Sequence, residues 1–177
     1  MPRTIGYHWV KSGYGLWLPG DGRGHWSEAW DTRTGYVEPR TLHSGDPVRL
    51  RMARERMLHP PVQLNAPMAD AVAQALEECV RTSNGGLSIV AAAIEPTHMH
   101  VLIPYSGRDI DGTVKWLTDR TTKAVHRQTK HVGPVWCDGR WQQFVFDTDH
   151  WQRLIEYIER YNIRAGRAAK PYDFLTL

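Results

Sequence analysis

The sequence predicts an α+β fold, an antiparallel sheet with helices packed on one face. Two observations carry that prediction. The apolar run LSIVAAAI (87–94) is followed, after the tight connection EPT, by HMHVLIPY (98–105), an adjacent and returning strand pair. Amphipathic helical stripes lie before and after this pair, so the elements run strand, helix, strand, strand, helix, strand, helix. That order is ferredoxin-like in outline.

The opening segment IGYHWVKSGYGLWLP (5–19) is aromatic and β-prone and is broken by SGYG, which fits a strand or a hairpin. Residues 19–45 are rich in Gly, Trp, Asp and Arg without a clear period. With the short helix behind them they form an irregular insertion at about 19–60 in a single domain spanning 1–177. Asp46 caps that helix, Pro47 takes its first position, and Leu50, Ala53 and Met57 recur at helical spacing before Pro60-Pro61 ends it. Asn65 caps a clearer helix whose stripe is Met68, Ala71, Val72, Ala75, Leu76, Cys79 and Val80, stopped by Asn84-Gly85. Cys79 therefore reads as a core residue. A helix from about Ile110 to Arg127 buries Val114, Leu117, Thr121 and Ala124, and RWQQFVFD (140–147) is a further strand. The last helix runs from a Thr148/Asp149 cap to Gly166 and docks through Trp151, Leu154, Ile155, Ile158 and Asn162, with the tail PYDFL packing back.

Composition excludes several classes. Hydrophobic residues make up 41% of the 177, with eight Trp, enough for a real core. Two cysteines, Cys79 and Cys137, exclude a disulfide scaffold and a zinc site built mainly of thiolates, and fit a reducing compartment. MPRTIGYHWV lacks the apolar core of a signal peptide, and the longest apolar run is too short to span a bilayer. The expectation is a soluble, cytoplasmic protein without a membrane partner. The net charge of +3 points only weakly to a polyanion, but arginines cluster at 49–56 and again at 153–167.

His98 and His100 stand two apart on a strand, so both project to one side while Met99, Val101 and Ile103 face the other. Two imidazoles make half a metal site and need at least one further ligand. The bland alternative is a pair of polar residues on the solvent face of a strand, neither of them core. On the last helix Tyr157 lies at the margin of the apolar stripe, bordered by Arg153, Arg160 and Arg164. Such a tyrosine could attack a phosphate held by the guanidiniums, or could be a boundary residue on a snorkelling basic helix.

Taken together, these segments resemble a known family. EPTHMHVLIPY resembles the P-x-H-x-H-φ-φ segment of the HUH endonuclease superfamily. GPVWCDGRWQQFVFDTDHWQRLIEYIERYNIRAG resembles the C-terminal stretch of REP-associated tyrosine transposases and insertion-sequence single-tyrosine transposases. There a G-x-x-W-x-x-R-(W/Y) segment and a strand precede a helix of the form Y-I-x-x-N-P-V-R-A-G. The resemblance covers residues 86–174 well and the opening strand loosely, and the insertion has no counterpart.

The resemblance implies a ferredoxin-like HUH endonuclease core and a metal-dependent, transposase-like enzyme that cleaves and rejoins single-stranded DNA. His98 and His100 match the ligands of Mg²⁺ or Mn²⁺, and Tyr157 matches the nucleophile that forms a 5′-phosphotyrosine and frees a 3′-OH. A phenol with a pKa of about 10 is a poor nucleophile at neutral pH, so an ion on the scissile phosphate is chemically apt. The partner would be single-stranded or hairpin DNA, the protein a monomer or homodimer, associated with the nucleoid in a bacterial cell.

The sequence departs from the family pattern after the tyrosine. The usual Asn, four residues on and a third metal ligand, is Tyr161, and the usual Pro is Asn162. Position +4 lies almost above Tyr157, whereas +5 turns away by about 100°. Tyr161 is the candidate third ligand, with Asn162 as the alternative; Tyr157 and Tyr161 also resemble the paired tyrosines of two-tyrosine HUH proteins. Arg140 and Trp141 could hold a phosphate and stack a base, with Lys115 tracking a backbone, although Trp141 could equally be core and Lys115 a solvated charge. Two other functions compete. One is a phosphohydrolase using the HxH strand, but Leu102 stands where a third His is needed and no second H-x-T/S motif occurs. The other is a catalytically inactive nucleic-acid-binding module that keeps the fold.

Overall fold

The structure is a computed structural model that describes residues 3–26 and 42–176. The middle of the predicted insertion, 27–41, lies outside the described residues. In chain order the elements are β1 (Gly6–Ser12), β2 (His25–Trp26), β3 (Leu42–His43), α1 (Pro47–Glu55), α2 (Ala66–Thr82), β4 (Ala91–Ile94), β5 (His98–Pro104), α3 (Ile110–Gln128), β6 (Trp141–Val145) and α4 (Thr148–Arg164). Four strands form one antiparallel sheet in the order β4-β5-β1-β6, and β2 pairs with β3 apart from it. This is the α+β fold with the predicted ferredoxin-like strand arrangement.

The caps fall where the sequence puts them, with one shift. Asp46 accepts from the backbone N–H groups of Val48 and Arg49, and Asn65 from that of Met68. Asn84 (φ 51°) and Gly85 (φ 78°) turn left-handed and end the α2 segment. For α4 the cap is Asp147, whose carboxylate accepts from the His150 N–H, one residue before the expected Thr148.

The helix placement differs from expectation. Strand alternation gives the sheet two apolar faces. Trp9, Met99, Val101, Ile103, Ala92 and Ile94 point to one side and pack with α2 and α3. Ala91, Ala93, Leu102 and Val145 point to the other and pack with Leu154 and Ile158 of α4. Helices thus cover both faces rather than one, because an apolar β4–β5 surface on the second side also has to leave water. Trp151 fixes the approach of α4: its ring lies over Gly6, where any Cβ would stand 2.1 Å from it.

Two strand predictions also change. The strand expected over 87–94 starts only at Ala91, because Ile89 bridges in parallel to Leu175 of the tail and its carbonyl accepts from the Thr176 N–H. The packed tail buries Phe174 in the core, as predicted. At the N-terminus β1 is a single strand. The chain turns after Gly13, and residues 16–18 do not return as a hairpin arm.

Candidate active site

The same alternation that buries Met99 and Val101 turns His98 and His100 onto the α4 face. Their Nε2 atoms are 2.9 Å apart. Each Nδ1 has its own partner: the Thr97 hydroxyl at 2.8 Å for His98, and Nε2 of His8 at 3.1 Å for His100. His8 comes from β1, whose Val10 lies opposite His100, so His8 shares the face of Leu102 and His100. The His8 and His100 rings stack, with centroids 5.3 Å apart and planes 19° from parallel. His100 is not a solvent-face residue. It is 4% exposed and His8 only 2%.

From the other side, α4 brings in the tyrosines. Tyr157 and Tyr161, one turn apart, share a hydroxyl–hydroxyl hydrogen bond of 2.9 Å. The Tyr157 ring stands edge-on to His100 at 5.6 Å, and the Tyr161 ring lies 4.6 Å from His100 and 5.6 Å from His98. Tyr157 remains 39% exposed, so a large substrate can reach its hydroxyl. Trp141 on β6 closes one side, edge-on to His8 at 5.2 Å and half-exposed.

Burial sets the electrostatics of this cluster. It lowers the His100 pKa to about 3, aided by the neighbouring His98 and His8, and that of His8 to about 4, aided by His150. His98 is lowered by burial too, against the pull of Glu95. The three imidazoles are therefore neutral at pH 7. Burial and the bond to Tyr157 push the Tyr161 phenol up to about 12, although Arg164 opposes them.

A pH effect on stability follows. Unfolded imidazoles ionise at about 6.5, so below that pH the unfolded chain binds more protons than the folded one. The ion-free protein keeps its full His8 contribution above about pH 6.5 and loses it as pH falls toward 4. Denaturant unfolding at pH 7.5 and 4.5 should show the wild type losing on the order of 2 kcal/mol more than His8→Leu. Equal losses would mean that the His8 ring is solvated in the folded state.

No protein-family model matches the chain, and no curated protein matches its sequence. Among solved structures, a REP-associated tyrosine transposase bound to a REP hairpin superposes with a TM-score of 0.51 at 14% identity, covering 94% of this chain and 72% of that one. The fold is shared with a REP-associated tyrosine transposase. A chain of Deinococcus radiodurans R1 described as a candidate transposase aligns at 17% identity and a TM-score of 0.44, with 95% of both chains covered.

The donor set suits a divalent ion in part. Two nitrogens each about 2.1 Å from one ion and at right angles stand about 3.0 Å apart. The His98–His100 Nε2 spacing of 2.9 Å matches that, both rings are neutral, and both Nδ1 atoms are held from behind. Among the described residues no group of three His, Cys, Asp or Glu side chains is placed to hold a metal. Among the described residues the Tyr161 ring stands 4.6 Å from that of His100 and 5.6 Å from that of His98, which keeps its hydroxyl as the candidate third donor.

Asn162 cannot be that donor. It is 1% exposed, and its amide nitrogen donates to the carbonyls of Ala92 and Ala169 while its oxygen accepts from Arg167. Position +5 faces the sheet rather than the histidines, and its polar atoms tie α4 to β4.

The basic residues divide into two groups. Arg153, Arg160 and Arg164 are exposed along the solvent side of α4 beside Tyr157, and make no ion pair among the described residues. Arg140 instead bonds Asp111 at the start of α3 and Gln142, and Lys115 pairs with Asp119 at 3.1 Å. Both belong to the α3 side of the sheet, away from the tyrosines. A cavity of about 710 Å³ lies elsewhere, between the segment 15–23 and α1. In the histidine–tyrosine cluster Tyr157 and Trp141 are exposed to solvent beside the buried His8 and His100. No described helix is long and apolar enough to cross a membrane.

Proposed function

We propose that this protein is a metal-dependent, transposase-like enzyme that cleaves and rejoins single-stranded DNA through a covalent bond to Tyr157. The observation that carries the reading is the meeting of Tyr157 with the His98–His100 pair, brought together from α4 and β5 at 5.6 Å between rings. The fold shared with a transposase that binds a DNA hairpin supports it, and so does the row of exposed arginines beside Tyr157.

His98 and His100 would hold Mg²⁺ or Mn²⁺, which when bound withdraws charge from the scissile phosphate and stabilises the transition state. Arg153, Arg160 and Arg164 hold the flanking phosphates, and Trp141 offers a face for a base. The Tyr157 oxygen attacks phosphorus and its proton leaves to solvent. The bond from phosphorus to the 3′-oxygen breaks, and that oxygen leaves as a 3′-hydroxyl after taking up a proton. The product is a 5′-phosphotyrosine. Because a phosphodiester replaces a phosphodiester, the reverse attack by a 3′-hydroxyl rejoins strands without a nucleotide cofactor.

Incubating the protein with single-stranded and hairpin DNA plus Mn²⁺, then resolving covalent adducts on a denaturing gel, tests this. An adduct that requires the ion is expected. If no adduct forms with any strand from its own locus, a DNA-binding module without catalysis replaces the enzyme. The arginines have a separate test. Arg153→Ala or Arg160→Ala should weaken binding evenly across DNA sequences and lower the slope of log affinity against log salt by about 0.7 per lost contact. An unchanged slope would make them ordinary surface charge.

A further inference from the structure

His8 faces the site, is buried, and takes no part in the chemistry above. We propose that His8 is a positioning residue for the ion: it holds the His100 ring so that its Nε2 lone pair and that of His98 point to one place. The inference rests on the reading that His98 and His100 bind a divalent cation.

An imidazole that offers Nε2 to an ion carries its proton on Nδ1, and that N–H needs an acceptor. His98 has the Thr97 hydroxyl at 2.8 Å, whereas His100 has Nε2 of His8 at 3.1 Å. In the loaded protein His8 must accept there, so its own proton sits on Nδ1. Among the described residues that atom is buried without a partner.

In the ion-free protein the chain of bonds runs the other way. His8 Nε2–H donates to His100 Nδ1, and His100 Nε2–H donates to His98 Nε2. His8 Nδ1 is then an unfilled acceptor, which costs less than an orphaned N–H. Ion binding therefore moves the proton of both His8 and His100 from Nε2 to Nδ1, leaves His98 as it was, and keeps all three rings neutral. In wild type the unpaired N–H of the loaded state falls on His8 Nδ1; with no acceptor at position 8 it falls on the ligand His100 itself, and the bond that holds that ring in line with His98 is gone.

The experiment compares wild type, His8→Gln and His8→Leu. Mn²⁺ affinity is measured by titration, and ring protonation by ¹H–¹⁵N correlation spectra without and with the diamagnetic Mg²⁺. Glutamine can place an amide oxygen near the position of Nε2, so it should bind Mn²⁺ within a few-fold of wild type. Leucine should bind about 10–100-fold more weakly, the range typical of outer-shell partners. Ion-free His8→Leu should stay folded and near wild type in stability at neutral pH, since it exchanges one buried acceptor without a partner, His8 Nδ1, for another, His100 Nδ1. In wild type, Mg²⁺ should shift the His100 proton from Nε2 to Nδ1. Leucine binding as tightly as wild type, glutamine losing as much as leucine, or a loaded His100 protonated on Nε2 would each overturn the role of His8 alone. A wild type that binds no Mn²⁺ overturns the ion reading, and the role of His8 with it.

Discussion

Tyr157→Phe is expected to reduce the protein–DNA adduct to background while Mn²⁺ and DNA binding persist. The substitution removes one oxygen. The ring contacts to His100 at 5.6 Å, His8 at 6.4 Å and Tyr161 at 5.2 Å involve the ring, which phenylalanine keeps. What is lost structurally is one hydrogen bond to Tyr161 at a half-exposed position, about 1 kcal/mol or less. A loss of adduct with an unchanged unfolding temperature thus reports on the nucleophile rather than the fold. Tyr161→Phe separates the roles of its neighbour. Weakened Mn²⁺ binding would make Tyr161 a ligand, and retained first cleavage with lost strand transfer would make it a second nucleophile. No effect on either would make it a packing partner of Tyr157. Adduct mapped by mass spectrometry to Tyr161 alone would overturn the choice of Tyr157.

Much of this geometry is legible in the sequence because two periods carry it. Period two in HMHVLIP separates the His98–His100 side from the Met99–Val101–Ile103 side, and the structure keeps that split. The helical period in α4 puts Leu154, Ile158 and Asn162 inward and leaves Tyr157 at the margin. What periodicity does not carry is which layer an element joins. The α4 stripe shows that the helix docks on something apolar, but not on which face. That choice depends on Ala91, Ala93 and Leu102, whose side-to-side pattern is hidden within continuous apolar runs.

His8 escaped for a related reason. In GYHWV it sits among aromatic, β-prone residues, and only the β1–β5 register, with Val10 opposite His100, places it beside the histidine pair. The available signal was the shared period of Gly6, His8 and Val10, which requires knowing that β1 is the neighbour of β5. Asn162 shows the converse: a residue of ligand type, one position from the expected place, that instead anchors α4 to the Ala92 carbonyl.

Replacing His98 and His100 by alanine should abolish both Mn²⁺ binding and adduct formation, and the two single variants should differ in what else they lose. His98 is half-buried at the start of β5, with Nδ1 on the Thr97 hydroxyl and Nε2 on Nε2 of His100. His98→Ala should unfold within about 1 kcal/mol of wild type, since the exposed Thr97 can turn to water and the space left by the half-exposed ring admits water to the His100 Nε2. His100 is 4% exposed and bonded at both nitrogens, so the expectation that neither histidine is core fails for it. His100→Ala opens a cavity beneath Tyr161 and leaves Nε2 of His8 without its partner, a cost of about 2 kcal/mol. For a chain of this size that lowers the unfolding temperature by about 4–8 °C. Activity measured on His100→Ala alone would confuse ligand loss with loosening of the α4 face, so His98→Ala is the decisive variant. If His98→Ala folds, binds DNA and still forms a Tyr157 adduct whose yield depends on Mn²⁺ as in wild type, the ion is held elsewhere and the pair is only a buried hydrogen-bonded unit. If it folds and loses both Mn²⁺ affinity and adduct, the half-exposed imidazole has no structural role large enough to account for that loss, and the assignment of the pair as ligands stands.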